Sequence, residues 1–384
     1  MQYQKRRIMT NQKDTTNRFL KLIGQRIALA RKDAGMTQND LSYQLGFNDR
    51  QILSHIESGR RKLAVDEMMK LMRIFNRNIE YFTDSFLLVG KGTFCWRTKA
   101  KLRVIDEFET KTGQWIATYQ ALGEKLDKKI NPIMPVLPLT DKSLYEEAWD
   151  MAERLNREWR LGKKPSARLA DVVQEKLAIL VLFVDAPEGI SGAACHLKNL
   201  NSILVNRREP DGRRSYDFAH ELFHLLTWQN MKPEHIDPAN PLTSRLKRIE
   251  HLADNFAAAL LMPQGIVEKY WKTCGNQNIH DWLNKTACLL GVSAKALYWR
   301  VKNLKLLSNA DTTKINMTLL TWNGESASRQ KLPHKFSKPF MDRLQEGILK
   351  GRISVRRAAK LLDLTIDDLE DLFSAYKLNV PFDL

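Results

Sequence analysis

The sequence predicts a mainly α, α+β protein, and three observations carry that expectation. Residues 18–85 are short amphipathic helical stretches broken by Gly and Asn. The centre holds a β-branched apolar run followed by two apolar helical stretches. The remainder returns to helical periodicity broken by Gly and Pro. The expected architecture is an N-terminal helix-turn-helix domain, a central domain with a small sheet, and a C-terminal helical domain.

Five segments follow in order. Residues 1–17, beginning MQYQKRRIMTNQKDTTN, read as a basic flexible arm without the apolar core of a secretory signal. Residues 18–85 form the helix-turn-helix unit. Residues 86–140 read as an aromatic loop, a helical connector and a Pro-rich linker, because NPIMPVLPL carries three prolines. Residues 141–275 carry the chemistry, and 276–384 form helical units.

Bulk properties narrow the function. At 384 residues the chain is long enough for two to four domains. No stretch nears the roughly 18 consecutive apolar residues of a membrane span, so no membrane role is expected. Cys95, Cys195, Cys274 and Cys288 form no CxxC pair, which points to a reducing, cytoplasmic location and away from a thiolate metal site. A net charge of +17 favours an anionic partner, most often nucleic acid, over solubility alone.

In residues 37–75, Thr37 is a good helix cap, and Leu41 and Leu45 repeat at helical spacing up to Gly46, which suits a left-handed stop. Asn48 can cap a second helix with Ile52 and Ile56 facing inward. Leu22, Ile23, Ile27 and Ala30 supply a preceding helix, and Val65, Met68, Met69, Met72 and Ile74 a following one. Thr37-Gln38, Leu41, Leu45-Gly46, Ser54, Ile56-Glu57 and Gly59 resemble the Xre/Cro-type helix-turn-helix family, with one residue more than the commonest pattern in the turn and recognition helix, FNDRQILSHIE. The resemblance implies binding to double-stranded DNA, with Asp49, Arg50, Gln51, Ser54 and His55 near base edges. Gln38, Arg60, Arg61 and Lys62 would meet phosphates. The plainer alternative is a bundle that only dimerises or holds a protein; a homodimer stays open.

The central reading rests on His220-Glu221-Leu222-Phe223-His224, an HExxH motif inside an apolar helical stretch. Residues four apart share a helix face, so both imidazoles can aim at one point. Glu221, about 100° around the helix, can reach a water at that point without binding the metal. A catalytic Zn2+ needs a third ligand and an open position. In IEHLADNFAAALLMP, Glu250 and Asp254 are four apart on an otherwise apolar stretch. Glu250 is the candidate third ligand, and Asp254 the candidate acceptor for the second ring nitrogen of a ligating histidine. The alternative is ion pairing with Arg245 or Lys247.

Val205-Asn206, Ala219 to His224, and Glu250 through Pro263 together resemble the ImmA/IrrE-type zinc metallopeptidases, as does EGISGAACHL upstream. Phe223 and Asp217 stand where that pattern commonly has a small residue and Thr. The resemblance implies a zincin-like peptidase domain, Glu221 as general base, and a protein substrate such as a repressor or antitoxin from a bacterial or phage setting. It leaves open whether activity is conditional. The strand Ile203–Val205 is expected to pair with an extended substrate, and His235, His251 and Tyr270 are unranked partners for the developing oxyanion. His196, His280 and His334 have no ligand spacing.

The C-terminal stretch 286–307 reads helix, Gly turn, Ser cap, helix, and 351–373 reads on the same plan. The first is basic at Lys295, Arg300, Lys302 and Lys305, leaving nucleic acid open; the second carries Asp367, Asp368, Glu370 and Asp371, which phosphates would repel. The expected function is a DNA-binding regulator with zinc-dependent endopeptidase activity. The alternatives are a non-catalytic regulator that uses a zincin fold to sense a partner, and the toxin or defence half of a toxin-antitoxin-like pair.

Overall fold

The computed structural model describes residues 2–87, 93–98, 100–128, 134–197, 199–233, 243–275, 277–320 and 332–382. It divides into two compact units, residues 1–91 and 92–384.

The first unit holds helices α1 (Gln2–Asp33), α2 (Gln38–Leu45), α3 (Arg50–Glu57), α4 (Val65–Phe75) and α5 (Ile79–Thr83). Residues 2–17, expected as a flexible arm, lie within α1. No Gly or Pro interrupts the chain before Gly24, and basic residues are good helix formers. Thr37 and Asp40 close a capping box on α2, and Gly46 ends it at φ +82°. The helices enclose Ile27, Leu41, Leu45, Leu53, Ile56, Leu71 and Phe82. Leu53 and Ile56 are the buried pair of α3, whereas Ile52 is half-buried. The register moves by one because Asp49, and not Asn48, caps the helix by accepting from the Gln51 N–H at 2.8 Å. Gly24 lets α1 cross the end of α3, since a Cβ there would lie 2.3 Å from the Ile56 carbonyl oxygen.

The second unit begins with β1 (Thr93–Thr98) and α6 (Leu102–Lys125), then α7 (Tyr145–Glu158) and α8 (Leu169–Leu177). Strands β2 (Leu180–Val184), β3 (Ile190–Leu197) and β4 (Leu200–Asn206) follow. Then come α9 (Asp211–Leu226), α10 (Ser244–Leu261), α11 (Gln264–Trp271), α12 (Ile279–Leu290), α13 (Ala294–Asn303) and α14 (Asn309–Thr313). The unit ends with α15 (Lys338–Leu349), α16 (Val355–Leu362) and α17 (Ile366–Ala375). No helix among the described residues is long and apolar enough to cross a membrane.

The sheet runs β1-β3-β4-β2, with β2 and β4 parallel and the other pairs antiparallel. All seven residues of β4 are buried, as a strand paired on both sides and packed on both faces should be. Helix α9 lies against β3 and β4, and α10 packs on α9 and α7. Of the stretch 86–140, expected as a connector and linker, the described residues from 93 on are built into this unit. They supply the edge strand β1 and helix α6, which packs on α15 and α16. The Pro-rich stretch is an extended crossing from residue 134 on: Leu137 and Leu139 are buried, and the Leu137 N–H donates to the Leu226 carbonyl at 2.9 Å.

The stretch 286–307 is likewise part of the core. Gly291 at φ +67° separates α12 from α13, and Leu290, Val292, Leu297 and Val301 are fully buried. Arg300, one of the basic residues that left nucleic acid open, is 1% exposed; it donates to Glu153 at 2.6 Å and to the Met262 carbonyl at 3.0 Å. That pairing ties α13 to α7 and the end of α10, so the expected boundary at 275/276 crosses a continuous core.

Candidate metal centre and DNA-facing helix

Helix α9 begins at Asp211 and is buried on every side from Asp217 to Leu226. Its inner residues therefore include His220 and Glu221, each 1% exposed, and His224 at 2%. The neighbouring α10 presents Glu250 one turn before Asp254. The structure brings four of the expected residues together. His220 Nε2 lies 3.1 Å from His224 Nε2 and 3.1 Å from Glu250 Oε2, and His224 Nε2 lies 3.5 Å from Glu250 Oε1. On the far side of the ring, His220 Nδ1 lies 2.9 Å from Asp254 Oδ1. Arg245 pairs with Asp141 at 2.8 Å, so the alternative pairing of Glu250 with that arginine is not the one formed.

Burial sets the electrostatics. It lowers the basicity of both imidazoles, but hydrogen bonds from His220 to Asp254 and Glu250 outweigh it there and raise that ring to about 9. His224 has less compensation and is pushed down to about 4. Burial also pushes Glu221 up to about 8. Glu250 is penalised by burial too, yet the two histidines hold it down to about 2. Two imidazole nitrogens 3.1 Å apart cannot face one another as bare lone pairs; a proton or a cation must lie between them. His224 Nδ1 is buried without a hydrogen-bond partner among the described residues. Three donor atoms of types that suit zinc converge here, and these residues fit a divalent cation.

Other residues around the trio had weaker signals. Phe223 is fully buried, 5.4 Å ring to ring from Phe256 and edge-on to His224 at 5.8 Å, which places its bulk in the packing behind the motif. Gly192 on β3 permits a close approach to β4, because a Cβ there would sit 2.8 Å from the Leu204 carbonyl oxygen, while its distance to Glu221 Cγ, 3.7 Å, would be an ordinary contact. Arg97 on β1, absent from the sequence reading, reaches Asp217 at 3.4 Å and Asp254 at 3.5 Å. Alternation along TFCWRT, with Phe94 and Trp96 stacked on one face and Cys95 and Arg97 on the other, is the pattern that could have revealed it. Of the unranked histidines and tyrosine, His251 is exposed beside Tyr145, Tyr270 packs half-buried on the core, and His235 lies outside the described residues. His196 bonds Asn201, and His280 accepts from the Asn316 N–H.

In the first unit, α3 exposes Arg50, Gln51 and His55 along one face and half-buries Ser54. Asp49 is occupied as the cap. Gln38, expected at phosphate, instead donates to Glu57 at 2.7 Å, and Glu57 also receives Arg31 at 2.7 Å. Arg61 is clamped to Glu67 by two bonds of 3.0 and 2.8 Å and lies over the Phe47 ring, whereas Arg60 is exposed and bonds only locally to Ser58.

Residues 174–302 match the family model of the IrrE N-terminal-like domain. Residues 27–82 match the helix-turn-helix family model. The chain joins an Xre-type helix-turn-helix region to an ImmA/IrrE-type peptidase-family domain. The IrrE-like match contains the whole trio and reaches residue 302 in α13, in keeping with the continuous core, but it excludes β1 and so excludes Arg97. No curated protein and no solved structure matches the chain. The helix-turn-helix match supports DNA binding by the first unit.

Proposed function

We propose that this DNA-binding regulator hydrolyses a peptide bond in a protein partner, such as a repressor or antitoxin, with zinc held by His220, His224 and Glu250. The observation that carries the reading is the convergence of three ligand atoms from two neighbouring helices, with Glu221 buried next to them. A bound divalent cation would polarise the scissile carbonyl and acidify a water. Glu221 takes the proton of the attacking water and returns it to the leaving amine. Asp254 holds the His220 ring in the tautomer that keeps Nε2 free to ligate. An extended substrate would add to β1: Ile203–Val205, expected for that role, sits in β4, which is paired on both sides, whereas β1 is an edge.

In the DNA-binding unit the same reading assigns base contacts to Arg50, Gln51 and His55, with Ser54 at the margin, and a phosphate contact to Arg60. Asp49, Gln38 and Arg61 serve the fold through their internal bonds. The test is a comparison of newly formed protein N-termini in cells producing the full chain or E221Q. The reading expects termini that appear only with the unaltered chain, while both forms retain DNA. Termini equal in both, with the same effect on gene expression, would favour a non-catalytic regulator.

A further inference from the structure

Four carboxylates, those of Asp217, Glu221, Glu250 and Asp254, crowd the two buried imidazoles. Arg97 reaches into this group from β1, a different element from the helices that carry them. Its Nε lies 3.4 Å from Asp217 Oδ1 and its Nη2 lies 3.5 Å from Asp254 Oδ1. The guanidinium rests 5.8 Å from the centre of the Tyr216 ring, and the Tyr216 hydroxyl donates to the Asp254 backbone carbonyl at 2.8 Å. The oxygen of Asp254 that faces Arg97 is the same one that faces His220 Nδ1 at 2.9 Å. Arg97 Nη1 is buried with no hydrogen-bond partner among the described residues, so its attachment is mainly to these two carboxylates.

We infer that Arg97 is a positioning residue for the metal centre, acting through Asp254 to fix the His220 ring. Without it, Asp254 is free to turn from His220, and the carboxylates lose a cation that offsets their mutual repulsion. A conservative Lys keeps the charge but cannot span both aspartates as a planar fork does. The inference rests on the proposed metal reading and adds to it a dependence of metal affinity on the edge strand.

Cobalt(II) is the probe, added to metal-free full-length protein and followed by its visible absorption. R97Q is expected to weaken cobalt binding about tenfold, the low end for loss of an outer partner. R97K should recover part of that loss. In a D254N background, R97Q should change affinity by less than about twofold, because its route to the metal is already cut. Circular dichroism checks that each variant is folded. If R97Q does not fold, R97K compared in the two backgrounds reads the same coupling: a loss in the parent that disappears in D254N is expected. Unchanged cobalt affinity in folded R97Q, or equal losses with and without D254N, would overturn the inference while leaving the trio intact. A parent protein that takes up no cobalt would instead overturn the metal reading beneath it.

Discussion

Helices α3 and α9 both carry polar residues to a site, and they do so in opposite ways. Helix α3 buries only Leu53 and Ile56 and turns Arg50, Gln51 and His55 outward. Helix α9 buries His220, Glu221 and His224 along with its apolar residues. A surface that reads DNA must keep its donors hydrated until the duplex arrives. A hydrolytic site needs donors already out of water, where one charge strongly perturbs another. Substitutions in α9 should therefore act on chemistry and metal, and those in α3 on affinity and salt dependence.

The largest effect should come from E221Q. If Glu221 is the proposed general base, this change is expected to lower the cleavage rate about 10²- to 10⁴-fold. Metal content and retention on DNA should stay as in the parent. A smaller loss would mean that another group moves the proton.

Breaking the first unit without touching α9 is the next test. Glu57 holds Arg31 at 2.7 Å, and their side chains are 8% and 10% exposed. E57A leaves that guanidinium buried without its carboxylate, with the Met36 carbonyl at 2.8 Å as its remaining acceptor, and should cost about 3 kcal/mol of folding stability. Denaturant unfolding followed with DNA and cobalt readouts should show DNA binding lost first.

Chelation is the converse perturbation. At free zinc about 100 times Kd, bound metal contributes about 2.7 kcal/mol to the unit that holds it. Stripping the metal should lower the melting of residues 92–384 and leave that of residues 1–91 unmoved, as read by calorimetry. Equal shifts in both would contradict the assignment of the metal to α9 and α10.

The smallest effects belong to α3. R50A should cost about 1–3 kcal/mol of binding to a preferred site and relax base preference there. R60A should weaken binding evenly across sequences and lower the salt slope by about one. Competition binding at several salt concentrations separates the two patterns.

How much was legible in the sequence follows the same division between local and distant order. HExxH was readable because both histidines sit on one helix, where spacing alone fixes the face. Glu250 and Asp254 were readable because carboxylates stand out on an apolar stretch. Arg97 was not, since β1 exists as a strand only through pairing with residues 190–196, far along the chain. The cap of α3 was missed by one place because Asn48 and Asp49 are both good caps and only the fold chooses. The α12–α13 turn has the local chemistry of a DNA-binding motif; the burial of Arg300 against Glu153, which locates it in the core, leaves no local signature. Residues 2–17 were read by charge, which does not by itself oppose a helix.

Three side chains are proposed to share one ion, and X-ray absorption on the zinc-loaded full chain reads that sharing directly. The result expected is one zinc per chain, with two imidazole nitrogens and carboxylate oxygen at about 2.0–2.2 Å, and loss of the ion on His224→Ala. Zinc bound without imidazole, or retained in full when His224 is removed, would contradict the proposal.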